Sequence, residues 1–267
     1  MIARLHSLLF VPAKDKMLAK IPESSADAHI IDLEDSIPFE GKAEALESAI
    51  RFLCEQDASN CFVRVDRLLM REQLVRLKDC KHRGVMVPKV EDGRFLDEYG
   101  DYLEGHETIA LVETPLGLAK IEDIASDSRI SALAFGAEDY TAATNMQNSE
   151  DLLLYHKSRI VMFGKAYGKC VYDTPSFCIQ DVAQADAEAE RAAMLGFDGK
   201  MVIHPKLIPG VQKAFAACDI ERLQKIVAQY ERQNEAVVFM DGKVYEKMHI
   251  ARFKRILNEN NDLIKRR

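Results

Sequence analysis

Short apolar runs alternate along this chain with longer stretches in which apolar residues recur at helical spacing. The runs read as strands and the stretches as amphipathic helices. Strands are predicted at residues 7–12, 28–33, 61–65, 84–88, 108–112, 131–135, 170–173 and 200–204, and helices such as 41–55, 151–167 and 181–195 fall between them. Gly196, directly after the last of these helices, suits a helix C-cap. A strand-then-helix unit repeated eight times predicts a parallel sheet closed into a (β/α)8 TIM barrel, because open doubly wound sheets usually have fewer strands. After the eighth strand come helical stretches at 207–215, 221–235 and 247–258 that no further barrel strand follows. The last two are separated by FMDGKVYE, in which Asp241-Gly242 signals a hairpin turn. No Pro/Gly/Ser-rich linker intervenes. The expected organisation is a catalytic barrel over 1–217 carrying a helical lid or oligomerisation extension over 218–267.

Composition narrows the function classes. A chain of 267 residues, 48% hydrophobic, can bury a large core. Its 36 basic against 43 acidic residues give a net charge of -7, and no basic cluster is interleaved with aromatics, which argues against a nucleic-acid partner. The opening MIARLHSLLFVPA runs straight into Lys14, Asp15 and Lys16, so it reads as a first strand rather than a signal peptide or a membrane span. Cys54, Cys61, Cys80, Cys170, Cys178 and Cys218 include no CxxC pair and read as small hydrophobes. A cytoplasmic enzyme is the expectation, with no membrane partner.

In a (β/α)8 enzyme the chemistry sits where the strands end. The residues there are mostly acids: Asp32, Glu34 and Asp35 after strand two, Glu113 after strand five, Glu138 and Asp139 after strand six, Asp173 after strand seven. Acids gathered on one rim repel one another unless a cation lies among them, and hard oxygen donors select Mg2+, with Mn2+ next. The alternative is a set of separately solvated loop acids. Strand alternation in FVRVD puts Val63 and Val65 toward the helices and Arg64 toward the barrel interior. Arg64 either grips a substrate carboxylate with its guanidinium fork or forms a salt bridge with Glu34 or Asp35. His204, fixed by Pro205, reads as a hydrogen-bonding post.

The runs SLLFVPA, DAHIIDLEDSIP followed by KAEA, FVRVD, VMVPKVED, ALVETPLGLAKIEDIA, LAFGAEDYTA and LGFDGKMVIHPKLI, in this order, resemble the stand-alone relatives of the citrate lyase beta subunit in the HpcH/HpaI aldolase superfamily. The resemblance implies a metal-dependent lyase that acts next to a thioester. It implies that Glu113 of the ETP motif and Asp139 of the FGAED motif bind Mg2+, that Arg64 contacts the keto-acid product, and that Glu34 and Asp35 hold metal-bound waters. A 3-hydroxyacyl-CoA of malyl, citramalyl or hydroxymethylglutaryl type is the implied substrate, split into a keto acid and an acyl-CoA. The alternatives are an aldolase of free pyruvate-derived hydroxy keto acids and a carrier-dependent citryl lyase subunit of a multienzyme complex. A homotrimer or hexamer is implied as well.

Several positions depart from the family pattern. His6-Ser7 stands where relatives usually have Arg-Ser, Leu46 where KAEA usually continues into Arg, and Asp66 where VRV is usually followed by Asn. Residues 13–16 replace a Gly/Asn/Arg stretch. Many acyl-CoA lyases of this type carry an Asp in the C-terminal hairpin that reaches a neighbouring subunit's site, and Glu246 is its nearest counterpart here, the candidate proton donor.

Overall fold

In the computed structural model the described residues are 5–216, 220–233, 236–240 and 242–264. Cys218 and Asp241 lie outside them. Residues up to Phe215 form one compact unit and those from Ala216 a second.

The first unit is a closed barrel of eight parallel strands in sequential order. They are β1 (Ser7–Pro12), β2 (Ala28–Asp32), β3 (Cys61–Arg64), β4 (Gly84–Val87), β5 (Glu107–Val112), β6 (Ala132–Phe135), β7 (Cys170–Asp173) and β8 (Gly199–Val202). All eight predicted strands are present, with ends displaced by no more than two residues. Helices α1 (Asp15–Leu18), α2 (Lys42–Glu55), α3 (Met70–Leu77), α4 (Phe95–Leu103), α5 (Pro115–Ala119), α6 (Ile121–Ser126), α7 (Ala137–Thr144), α8 (Glu150–Ala166), α9 (Val182–Leu195) and α10 (Ile208–Ala216) accompany them. Three of these starts are capped by side chains: Thr114 accepts from the Gly117 N–H, Ser149 from Leu152 and Asp181 from Gln184. Gly196 closes α9 at φ 106°, in the left-handed region glycine tolerates best.

Alternation along the strands splits the core into two layers. Leu8, Ile30, Phe62, Met86, Leu111 and Met201 fill the barrel interior. Leu9, Ile31, Val63, Val85 and Val112 face outward into the larger layer shared with the helices. Glycine is required where strands enter the barrel. A Cβ on Gly84 would run into the Glu107 carbonyl of β5, and one on Gly199 into the Leu5 and His6 carbonyls beside β1.

The outer layer also holds polar residues with their own compensation. Asp173 follows Tyr172 on β7 and so points outward, away from the interior. It is fully buried between Lys157 of α8 and Lys200 of β8, at 3.1 and 2.7 Å. Glu150 takes a second contact of Lys157 at 2.7 Å. Burial opposes the charge on Asp173, and the two ammonium groups outweigh it, holding its carboxyl below the usual range. Asp173 is therefore removed from the acids gathered at the rim.

The second unit has its own sheet and core. Helices α11 (Ile220–Gln233) and α12 (Lys247–Ile264) flank an antiparallel pair, β9 (Val237–Met240) and β10 (Lys243–Glu246). Ile226, Val227, Val238, Tyr245 and Ile250 form its core. The hairpin turns at Gly242, φ 73°. α12 runs past the predicted end at 258, through an Asn-rich stretch whose weak helix propensity reads as a stop. Among the described residues no helix is long and apolar enough to cross a membrane.

His29, outward on β2, is 1% exposed, and neither ring nitrogen has a hydrogen-bond partner among the described residues. Burial lowers its pKa from 6.5 to about 4. The folded protein therefore binds fewer protons here than the unfolded chain between those values, so stability is complete above pH 6.5 and falls as pH drops toward 4. We expect His29→Leu to remove about 3 kcal/mol of that acid destabilisation. Urea unfolding of both proteins from pH 7 to pH 4 checks this: equal pH slopes would contradict it.

Candidate active site

Where the apolar interior ends, the inward parity of the strands continues into charged residues. On β2 the inward series Ala28, Ile30 leads to Asp32, and on β3 Phe62 leads to Arg64. These two charges are register partners on adjacent strands. Arg64 Nε and Nη2 donate to Asp32 Oδ1 and Oδ2 at 2.7 and 2.8 Å, a bidentate pair. Nη1 donates to Asp35 Oδ2 at 3.0 Å and lies 3.1 Å from Glu34 Oε2. The guanidinium carbon sits 5.0 Å from the Phe10 ring centre. Burial works against the charge on both Asp32 and Arg64, yet their hydrogen bonds prevail: the carboxyl is held below its usual range and the guanidinium above its own. The salt bridge weighed for Arg64 from the sequence thus has Asp32 as its bidentate partner, with Glu34 and Asp35 sharing the remaining nitrogen.

Asp32 also accepts from the main-chain N–H groups of Glu34 and Ser36, at 2.9 and 3.1 Å, and so shapes the loop that carries Glu34 and Asp35. Lys42, at the start of α2, reaches under the same loop. Its ammonium donates to the Leu33 carbonyl at 2.8 Å and to the Glu34 carbonyl, and pairs with Asp66 at 2.7 Å. Asp66 therefore finds a buried cation. Leu46 is 2% exposed in the outer apolar layer, a packing position.

On β5 the inward series Ile109, Leu111 continues into Glu113, which is 3% exposed. On β6 Ala132 and Ala134 continue into Gly136. Val112 and Phe135 are register partners, so Glu113 and Gly136 follow side by side. A Cβ on Gly136 would strike the Glu113 carboxylate and its Cβ. The space above β6 is left bare for the acid of β5. Burial raises the pKa of Glu113 to about 8, reinforced by the neighbouring charges of Glu34 and Asp139. Asp139 lies in the first turn of α7 with its side chain 42% exposed. Glu138 of the same turn instead accepts from Asn148 at 2.6 Å.

Lys89 enters this group from the end of β4. Its ammonium donates to Glu34 Oε1 at 2.9 Å and stands 3.3 Å from Asp139 and 3.9 Å from Glu113. Its main-chain N–H donates to Glu113 Oε1 at 3.0 Å. The structure thus brings Arg64, Glu34, Asp35, Glu113 and Asp139 to one rim, linked by Lys89. Glu246 belongs to the second unit, exposed at the end of β10, where its main-chain N–H donates to His249 Nδ1 at 3.0 Å. His204 Nδ1 accepts from the Lys206 N–H at 3.2 Å, the post expected of it. Among the described residues no three His, Cys, Asp or Glu groups converge as a ready-made metal cage. Glu113 and Asp139 could hold a hard cation whose remaining positions are left to water and substrate.

Sequence reasoning passed over Lys89, Lys42 and Gly136. Lys89 had a signal, a cation directly after strand four in VMVPKVED, among neighbours whose strands end in acids. Gly136 is intelligible only once β5 and β6 are in register.

The model of the HpcH/HpaI aldolase/citrate lyase family matches residues 6–205, which contain every element of this rim. The chain belongs to that family. It is a carbon–carbon lyase of the aldolase/citrate lyase type. Among its relatives, mitochondrial citramalyl-CoA lyase of Homo sapiens is 28% identical, over 86% of this chain and 77% of its own. The (3S)-malyl-CoA thioesterase of Cereibacter sphaeroides is 26% identical over 94% of this chain and 93% of its own. The crystal structure of CitE from Mycobacterium tuberculosis in complex with magnesium, acetoacetate and coenzyme A superposes with a TM-score of 0.83, at 26% identity, over 97% of this chain and 99% of that one.

Gly136→Ala should cost about 1–3 kcal/mol by forcing Glu113 aside. Adding Glu113→Gly, which removes both the carboxylate and the Cβ that the new methyl would meet, vacates the contested space, so the double variant should be at least about 1 kcal/mol more stable than additivity allows. A denaturant double-mutant cycle measures this, and strict additivity would mean that the two positions do not meet.

Proposed function

We propose that the protein is a Mg2+-dependent lyase that splits a 3-hydroxyacyl-CoA of malyl, citramalyl or hydroxymethylglutaryl type into a keto acid and an acyl-CoA. The observation that carries this reading is Glu113, a buried inward carboxylate crowded by Glu34 and Asp139 beside the Arg64 guanidinium. Support comes from a relative of nearly the same length, CitE, which holds magnesium, acetoacetate and coenzyme A together.

Glu113 and Asp139 would hold the ion. The donor set fits: hard carboxylate oxygens, one of them in a site where burial and like charges disfavour its ionisation unless positive charge is added. Mn2+ would accept the same oxygens. When bound, the divalent ion supplies Lewis acidity toward the oxygens of the keto-acid fragment. Arg64, locked against Asp32, directs Nη1 at the same corner, where it would neutralise the carboxylate of that fragment. Glu34 and Asp35 remain to receive the proton of the substrate hydroxyl. As that O–H bond is lost, the C–C bond breaks with its electron pair passing to the thioester fragment, and the hydroxyl carbon becomes a carbonyl. The resulting thioester enolate takes a proton on carbon, for which Glu246 of an adjacent subunit is the proposed donor. On the hairpin face that carries Glu246, Val237, Phe239 and Val244 are also exposed, while Val238 and Tyr245 turn into the unit's own core. An apolar surface with one carboxylate suits a cover over a neighbouring thioester site in a homotrimer or hexamer.

The deciding experiment offers the purified chain, with Mg2+, malyl-, citramalyl- and hydroxymethylglutaryl-CoA, the corresponding acyl-carrier-protein thioesters, and free hydroxy keto acids. Cleavage of a CoA ester to keto acid and acyl-CoA is expected. Turnover of free hydroxy keto acids alone would favour the aldolase reading, and turnover of carrier thioesters alone the subunit reading.

Glu113→Ala or Asp139→Ala should abolish Mg2+ binding measured by calorimetry, since a single remaining carboxylate competes poorly with hydration. Arg64→Lys should keep the fold but lose most of kcat, because a point charge cannot replace the planar fork. Unchanged kinetics in a folded Arg64→Lys enzyme would remove Arg64 from the reaction.

Glu246→Gln should lose most turnover with Mg2+ binding intact. Mixing it with inactive Arg64→Ala chains under conditions of subunit exchange should restore part of the activity. No recovery despite exchange would place Glu246 outside the neighbouring site.

A further inference from the structure

Lys89 holds a backbone conformation that its side chain does not favour, and both its main-chain N–H and its ammonium are directed at the acid cluster. Its φ is 51°, one of two left-handed non-glycine positions among the described residues. The other, Asn145, is a helix C-cap of a residue type that tolerates this region. Lys89 caps no helix. The unfavourable φ accompanies two simultaneous contacts: the main-chain N–H meets Glu113 Oε1 at 3.0 Å, while Nζ turns back to Glu34 at 2.9 Å and Asp139 at 3.3 Å. The carbonyl is fixed from outside by Arg67 Nη1.

Resting on the metal reading above, we propose that Lys89 is an internal counter-ion that neutralises the acid cluster until a divalent cation displaces its ammonium, while its main-chain N–H keeps Glu113 oriented throughout. The two halves of the residue separate physically. The N–H belongs to the backbone and stays put. The ammonium ends a flexible four-carbon stem and is 32% exposed on its side chain, so it can leave toward solvent. A unit charge about 3–4 Å from two metal ligands must oppose any incoming cation. Lys89 is thus a positioning residue for Glu113 and a competitor for the metal, and its loss should tighten metal binding rather than weaken it.

The experiment measures Mn2+ affinity by electron paramagnetic resonance for wild type, Lys89→Met and Lys89→Arg, together with melting temperatures with and without saturating Mg2+. Lys89→Met should bind Mn2+ at least about tenfold more tightly. It should also melt lower than wild type without metal and recover most of that difference in Mg2+. Lys89→Arg, which keeps the charge, should stay within about threefold of wild type. Should Lys89→Met fold only with Mg2+ present, the counter-ion role is supported directly. Equal or weaker Mn2+ binding by Lys89→Met overturns the inference while leaving the metal reading intact, as does failure to fold even in Mg2+. A wild-type chain that binds neither ion overturns both.

Discussion

Like-charge repulsion at the mouth of the barrel is the constraint on which the site is built. Five side chains there, Asp32, Glu34, Asp35, Glu113 and Asp139, carry carboxylates, and all except Asp35 and Asp139 are buried. Each is answered differently. Asp32 is fully matched by the two-pronged contact with Arg64. Glu34 sits between Arg64 and Lys89. Glu113 lacks a close cation, the Lys89 ammonium being 3.9 Å away, and it is the acid whose ionisation the fold opposes most clearly. The unbalanced position is the one where added positive charge gains most, and lyase chemistry needs such charge beside a keto acid.

The barrel does two kinds of electrostatic work in two layers. Inside, charges are left partly unmatched at the rim, where substrate can approach. Outside, Lys157, Asp173 and Lys200 are matched within a sealed layer between sheet and helices. One residue of strand parity separates these outcomes. Asp173 and Glu113 both come at strand ends, yet the first is an internal fastening and the second a candidate ligand.

Most of the barrel was legible because its signal is repetitive: eight apolar runs spaced by amphipathic segments leave few alternatives. Rim acids were legible for a related reason, since polar residues ending apolar runs stand out. Which way a terminal residue points was harder to read. Arg64 lay within a run long enough to show alternation, and its inward direction was evident. Asp173 closed a run of four residues, and its outward parity emerged only against Tyr172 and Val171 in their respective layers. Lys89 was missed because a lysine beside a proline reads as loop. Its role depends on a left-handed φ that no local pattern announces. The pairing of Asp32 with Arg64 required the register of β2 and β3, a long-range fact.

The two strand-entry glycines bear on how this enzyme would fail under random mutation. Gly84 and Gly199 touch nothing chemical, yet any side chain there collides with a neighbouring strand's main chain. Such lesions injure folding and leave the rim's design intact, so many should behave as heat-sensitive alleles, active in cells grown cool and lost in warmth. Loss of the half-exposed Asp139 carboxylate at the opposite mouth should instead be indifferent to growth temperature. A genetic screen run at two temperatures would therefore separate lesions of the strand entries from lesions of that acid without any structural information.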